Sequence, residues 1–273
     1  MSSLGSFDRP LFLIGCGNMA GAILRRWLAC GLNPALVTVT RPSGRAVADG
    51  VTVRTDFPEA LPERAVVLVG MKPQQLADVA PRLRPLWRED LTMLSLLAGV
   101  PAARLAETMA SPATAVRLMP NTPVALGKGV CALYADAAMA AERRAMVETL
   151  LAPLGLVEWV GAEEQFDLVT ALSGCGPAFV FRFIDALAQG AAALGMDAAQ
   201  AQRFAIATVE GAAALAVGAG ESPADLAEKV ASKGGMTREG LDVLDADSRL
   251  VTLLTETLRA ARDRGVELNR LSA

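Results

Sequence analysis

Leu11-Phe12-Leu13-Ile14 is apolar at every position, and Gly15-Cys16-Gly17-Asn18-Met19-Ala20 carries it straight into Gly21-Ala22-Ile23-Leu24-Arg25-Arg26-Trp27-Leu28-Ala29-Cys30-Gly31. An uninterrupted apolar run suits a strand buried on both faces of a parallel sheet, and the stretch behind it repeats its apolar residues at helical spacing. The G-x-G-x-x-A turn between them has the spacing of a dinucleotide-binding loop. Gly15 permits the tight turn, Gly17 lets the backbone approach a pyrophosphate, Ala20 takes the packing position, and the helix N-terminus aims at the anion. The same residues could form an ordinary strand-to-helix turn, but the strand before and the helix after favour the nucleotide reading.

Outward from this segment, short β-branched runs alternate with helix-sized stretches up to about Gly161: LFLIG (11–15), LVTVT (36–40), AVVLVGM (65–71), LTMLSLLAG (91–99), AVRLM (115–119), GVCALYA (129–135) and VEWVG (157–161). That alternation predicts a doubly wound α/β domain over residues 1–162, Rossmann-like in its first turn. From residue 163 to 273 no such run recurs. Ala-rich stretches at about 177–195, 199–217, 223–231 and 238–264, separated by Gly195, Gly218, Gly220 and Gly234-Gly235, predict a helical second domain. Its many small residues suit close helix packing or a subunit interface.

Composition removes several functions. The 273 residues contain no His, which excludes Ser-His-Asp hydrolysis, His-ligated zinc and a histidine acid in a hydroxy-acid dehydrogenase. The net charge is −3, divided as +3 over residues 1–162 and −6 over residues 163–273, so no overall positive field holds nucleic acid or anionic lipid, and a phosphate-bearing ligand prefers the first half. Cys16, Cys30, Cys131 and Cys175 are too far apart for a zinc ribbon or a disulfide framework, and no metal site is expected. With no signal-like or membrane-spanning run, the chain reads as soluble and cytoplasmic.

Three further segments carry chemistry. Where an NAD-binding chain places a carboxylate after its second strand, this one has Thr40-Arg41-Pro42-Ser43; the guanidinium fork of Arg41 and the hydroxyl of Ser43 suit a 2′-phosphate, so NADP is expected over NAD. Met71-Lys72-Pro73 follows the most apolar run, where a parallel sheet delivers residues to its ligand edge. Ser232-Lys233-Gly234-Gly235-Met236-Thr237 precedes a helical stretch and brings backbone N–H groups, two hydroxyls and an ammonium together, a nest for a carboxylate or phosphate; the alternative is a helix stopped at Gly234 and a new one capped by Thr237.

These segments, with Leu97-Ala98-Gly99, Met119-Pro120-Asn121-Thr122-Pro123 and Ser173-Gly174-Cys175-Gly176-Pro177-Ala178-Phe179, stand in one order along nearly the whole chain and closely resemble pyrroline-5-carboxylate reductase. The resemblance implies an NAD(P)H-dependent reductase forming proline from a cyclic imine, with a helical domain that makes a homodimer or larger homo-oligomer. It implies that Ser232 and the backbone of Gly234, Gly235, Met236 and Thr237 hold the substrate carboxylate. Thr237 would be the catalytic residue, hydrogen-bonded to the ring nitrogen. It places the cofactor against Gly15, Cys16, Gly17, Asn18, Met19, Ala20, Arg41, Ser43, Met71, Lys72, Pro73, Ala98, Gly99 and Asn121. The chain departs from the family pattern at Lys233, commonly Pro; at Cys175, commonly Ser; at Phe179, commonly Tyr; and at Phe57, where Asn is often found. The alternatives are a reductase of another imine or of a hydroxy acid, and a non-catalytic NADP-binding protein. Pro177 to Gly195 lacks the Lys or His that a hydroxy-acid enzyme wants on its first long helix.

Overall fold

The computed structural model describes residues 3–109, 115–136 and 138–272. Internal contacts divide it into two units: residues up to Cys175 with those from Ala261 onward, and Gly176–Ala260.

The first unit is built on one eight-stranded sheet: β1 (Leu11–Ile14), β2 (Val37–Thr40), β3 (Thr52–Arg54), β4 (Val66–Val69), β5 (Thr92–Ser95), β6 (Ala115–Pro120), β7 (Gly129–Ala135) and β8 (Gly155–Trp159), in the order β3-β2-β1-β4-β5-β6-β7-β8. Strands β1 to β6 run parallel, and the order reverses between β1 and β4, where open α/β sheets leave a crevice at the carboxyl ends of their strands. Strand β7 is antiparallel to β6, and β8 is parallel to β7, so the sheet is mixed rather than parallel throughout. The connection from Pro120 to Gly129 is too short for a parallel crossover and returns the chain directly.

Alternation along β1 shows why its run is apolar throughout. Leu11 and Leu13 enter one core with Ile23, Leu24 and Trp27, while Phe12 and Ile14 enter a second core with Val67, Val69 and Leu83. Helix α1 (Asn18–Ala29) covers the first face together with α4 (Ala141–Leu151), joined by Trp27 Nε1, which donates to the Leu150 carbonyl at 2.8 Å. Helices α2 (Leu76–Leu83) and α3 (Ala102–Met109) follow β4 and β5. The segment from Glu163 to Cys175 falls within this contact unit. Phe166, in the short helix α5 (Phe166–Val169), is buried beneath the Arg117 guanidinium at 4.3 Å from its ring centroid, and Glu163 accepts from Arg117 Nη1 at 2.7 Å.

The second unit contains α6 (Gly176–Ala193), α7 (Ala198–Ala219), α8 (Pro223–Val230), α9 (Met236–Asp245) and the start of α10 (Arg249–Ser272). Asp197 caps α7 by accepting from Gln200 N–H at 2.9 Å, and Ser222 caps α8 by accepting from Asp225 N–H at 3.1 Å. The single helix expected over 238–264 is two helices, broken where Asp247 and Ser248 both adopt φ of 53°. Among its described residues this unit buries only three apolar side chains, those of Ala188, Ala201 and Ala205.

At the amino-terminal ends of β4 and β5, Asp90 accepts from Arg88 Nε at 2.9 Å, from Arg88 Nη2 at 3.0 Å and from the N–H of Arg64 at 2.7 Å, whose φ is 56°. The Arg88 hydrogen bond, then that N–H, hold the Asp90 carboxyl below its ordinary range. A carboxylate lowered on folding stabilises the protein fully above its unfolded pKa, and that contribution is lost as pH falls through the folded value. Asp90→Asn is therefore expected to lower Tm by a few degrees at pH 7. Thermal denaturation across pH should show the gap to the parent closing in acid.

Candidate active site

Four strand ends deliver residues to the crevice. The N–H of Gly15 donates to the Thr40 carbonyl at 2.8 Å, the N–H of Gly70 to Ile14 at 2.9 Å and the N–H of Leu96 to Val69 at 3.0 Å. Gly15, Arg41, Met71-Lys72 and Ala98-Gly99 thus stand at the carboxyl ends of neighbouring strands. Gly15 needs its glycine twice over: φ is 79°, and a Cβ would lie 3.2 Å from the Gly70 carbonyl and the Met71 backbone. Ala20 is the fixed packing point of the turn, because a Cβ on Gly70 would come within 2.8 Å of the Ala20 methyl.

Gly17 is different. It is the N-cap of α1 at φ −79°, which any residue adopts, it is exposed, and a Cβ on it would meet nothing within 4 Å. Nothing internal to the fold requires glycine there. No side chain caps α1, so the N–H groups of its first turn, Asn18 and Met19 included, face outward without an intrahelical acceptor. An open cradle over a bare helix N-terminus fits the pyrophosphate of a dinucleotide. Cys16 is half-buried beside it; burial pushes its thiol up, while the guanidiniums of Arg41 and Arg25 pull it back down, which places Arg41 in electrostatic reach of the loop. Arg41 is half-buried and Ser43 exposed in the turn after β2, and the buried Thr40 Oγ1 has no hydrogen-bond partner.

On the other side of β1, Met71 is half-buried and Lys72 exposed, with Lys72 N–H donating to Gln75 Oε1 at 3.1 Å and Pro73 opening the helical turn that leads to α2. Ala98 is exposed and Gly99 turns the chain at φ 75°. Asn121, expected on the cofactor, has its amide committed to the protein: Oδ1 accepts from Val130 N–H at 2.8 Å and Nδ2 donates to the Ser173 carbonyl at 2.9 Å. That carbonyl lies in a π-helical turn, Thr170–Gly174, within the Ser-Gly-Cys-Gly-Pro segment. Asn121 therefore ties β7 to that turn rather than presenting a free amide.

In the second unit, Gly235 N–H donates to the Ser232 carbonyl at 2.9 Å and closes the turn before α9. Gly234 needs its glycine for a φ of 70°; at Gly235, φ −84°, a Cβ would lie 2.6 Å from Ser232 Oγ and 3.0 Å from the Ser232 carbonyl, so a larger residue would push on the Ser232 side chain. Gly235 is the N-cap and no side chain caps α9, in contrast to α7 and α8, so Thr237 is not the cap but the second residue of the helix. The N–H groups of Met236, Thr237 and Arg238 form its open first turn, flanked by the exposed side chains of Ser232 and Thr237. A carboxylate fits this arrangement. No spacing or motif in the sequence marks Arg238, whose Nη1 donates to Glu228 Oε1 at 2.9 Å and Nε to Asp242 Oδ1 at 2.8 Å. Among the described residues no group of three or more Cys, Asp or Glu side chains is arranged to hold a metal ion.

Comparison with known proteins covers both units. Residues 163–268 match the family profile described as pyrroline-5-carboxylate reductase dimerisation, and residues 11–99 match that of NADP oxidoreductase, coenzyme F420-dependent. A pyrroline-5-carboxylate reductase of Pseudomonas aeruginosa is 33% identical over 260 residues, covering 93% of this chain and 95% of the relative. One of Pisum sativum is 34% identical, covering 92% of this chain and 93% of its own. The solved structure of a pyrroline-5-carboxylate reductase from Coxiella burnetii superposes with a TM-score of 0.85 at 30% identity, over 95% of this chain and 98% of that one.

Proposed function

The chain belongs to the pyrroline-5-carboxylate reductase family, and from that premise we propose that it reduces the cyclic imine 1-pyrroline-5-carboxylate to L-proline with NADPH. Residues 1–162 form the cofactor domain in this reading, and residues 163–273 the domain for substrate and for association with a second copy. The observation that carries it is the bare start of α9 behind the Ser232–Gly235 turn, beside the Thr237 hydroxyl.

The substrate has one carboxylate and one ring nitrogen. The N–H groups of Met236 and Thr237, with the Ser232 hydroxyl, bind the carboxylate; Gly234 and Gly235 contribute the turn that lets them converge. The Thr237 hydroxyl holds the ring nitrogen and supports its protonation. When bound, NADPH supplies the hydride that goes to the neighbouring ring carbon, so the C=N bond becomes a C–N bond with one proton taken up at nitrogen. The protein's own contribution is orientation, which explains how a chain without histidine performs the reaction.

Gly15, Gly17 and the N–H groups of Asn18 and Met19 receive the pyrophosphate, Cys16 and Ala20 shape the loop, and Arg41 with Ser43 takes the 2′-phosphate. Met71, Lys72, Pro73, Ala98 and Gly99 line the opposite half of the cofactor, and Asn121 fixes the segment below it. Arg41→Ala is expected to raise KM for NADPH about tenfold and leave KM for NADH nearly unchanged, since a charge-assisted phosphate contact is worth roughly 1.5–3 kcal/mol. Initial rates with each cofactor measure this directly. The substrate half is tested by product binding: titration of L-proline into the protein should release heat, and Ser232→Ala should weaken the binding, whereas no binding by the parent would count against the carboxylate site.

Association with a second copy is supported by the apolar surface of Gly176–Ala260. Phe181 is 66% exposed, Phe204 54% and Val217 89%, around a core of three alanines, too small to sustain those helices alone. We assign this surface to a homodimer or larger homo-oligomer. Four cysteines without a disulfide fit a reducing compartment, the cytoplasm.

A further inference from the structure

Arg238 follows Thr237 in the first turn of α9, and its guanidinium joins two helices. Nη1 donates to both carboxylate oxygens of Glu228, at 2.9 and 3.1 Å; Nε donates to Asp242 Oδ1 at 2.8 Å; and Nη2 lies 3.5 Å from Asp245 Oδ2. Glu228 belongs to the last turn of α8, and Asp242 and Asp245 to α9. The bridge therefore spans the two helices that flank the Ser232–Gly235 turn. The arginine side chain is only 24% exposed, whereas its three partners are 61–67% exposed, so the carboxylates fold over it.

Arg238 makes ties within α9, to Asp242 and Asp245, but both ends of the pair that joins α8 and α9 oppose the dipole of their own helix. The helix dipole disfavours a cation in the first turn and an anion in the last, by about 0.3–1 kcal/mol at exposed positions. Arg238 and Glu228 each stand at the wrong end, and the pairing across the turn cancels both costs. Within this segment Ala231 N–H donates to the Glu228 carbonyl at 3.1 Å, Gly235 N–H to Ser232 at 2.9 Å and Glu239 N–H to Gly235 at 3.3 Å, all of them local bonds. The arginine forked between α8 and α9 adds a side-chain tie across the whole turn.

We propose that Arg238 is the positioning residue of this site: by clamping Glu228 of α8 against the first turn of α9, it fixes the turn from Ser232 to Thr237 in the geometry that binds the substrate carboxylate. It acts through the turn and touches no reacting atom. The proposal rests on the substrate reading given above for that turn. Partly exposed ion pairs add little to global stability, but small displacements of a binding group carry large kinetic costs.

Three variants test it: Arg238→Met, which keeps an apolar stem and removes the ties, Arg238→Lys, and Glu228→Gln. Arg238→Met should raise KM for 1-pyrroline-5-carboxylate on the order of tenfold, with KM for NADPH unchanged. Arg238→Lys should recover part of the loss, because an ammonium reaches fewer carboxylates than a forked guanidinium. Glu228→Gln should reproduce the rise, and the Arg238→Met/Glu228→Gln double variant should add little to it. An unchanged substrate KM, a parallel rise in NADPH KM, or full additivity overturns the proposal. Amide hydrogen exchange at Gly235 and Glu239, measured without ligands, separates this from the substrate assignment. Faster exchange in Arg238→Met supports the clamp even if the parent fails to reduce the imine, and unchanged exchange overturns it even if the parent is active.

Discussion

Gly17→Asp is expected to fold at least as well as the parent and to lose NADPH affinity by about 10²-fold or more. The two effects have opposite signs because one position serves two purposes. As the N-cap of α1, Gly17 is a modest choice; aspartate is among the best caps, accepting from the N–H groups of the first turn and complementing the helix dipole, for about 0.5–1 kcal/mol of stability. A Cβ there meets nothing within 4 Å, and φ of −79° suits any residue, so the protein has no reason of its own to reject the substitution. The new carboxylate would satisfy the N–H groups proposed for the pyrophosphate and set like charge against it. A loss of about 2.7 kcal/mol, the equivalent of 10²-fold, is modest for a desolvated like-charge contact. Calorimetric titration of NADPH beside a thermal melt gives both numbers. If Gly17→Asp bound NADPH as the parent does, the cradle would not be the pyrophosphate site.

Thr237→Ala should lower kcat/KM for the imine by roughly 10²-fold or more while leaving KM for NADPH unchanged. Thr237 is the second residue of α9, where its side chain is exposed and does not cap the helix. Alanine is the better helix former, so the loss should not come from unfolding. The variant removes the hydroxyl proposed to hold the ring nitrogen and leaves the N–H nest for the carboxylate intact. Thr237→Ser should recover most of the rate. Steady-state kinetics on the three proteins would decide: a Thr237→Ala enzyme with parental kcat and KM removes the residue from the mechanism.

The first unit was legible in the sequence because its strands obey a rule visible residue by residue. Leu11 and Leu13 face one core and Phe12 and Ile14 the other, which is what an all-apolar run becomes in a strand covered on both sides. Strand β3 was missed because Thr52-Val53-Arg54 is a three-residue edge strand with two exposed positions. The reversal at β7 was legible only from the brevity of its connection, since an apolar run carries no direction. The break between α9 and α10 falls in Asp245-Ala246-Asp247-Ser248, a polar tract whose left-handed residues are neither glycine nor asparagine. Near the candidate site, Gly15 and Gly234 are marked by positive φ, 79° and 70°, the conformation their turns demand, whereas Gly17 has an ordinary φ and stands out only by the spacing of the G-x-G-x-x-A loop. The internal role of Asn121 and the Arg238 clamp carry no such mark in the sequence. Their partners, Val130 and Ser173 in one case and Glu228, Asp242 and Asp245 in the other, become neighbours only when separate elements pack.

Turnover is the decisive measurement. The purified protein should oxidise NADPH when given 1-pyrroline-5-carboxylate, form L-proline in equal amount, and work less efficiently with NADH. Binding of NADPH without proline formation under the same conditions would contradict the claim.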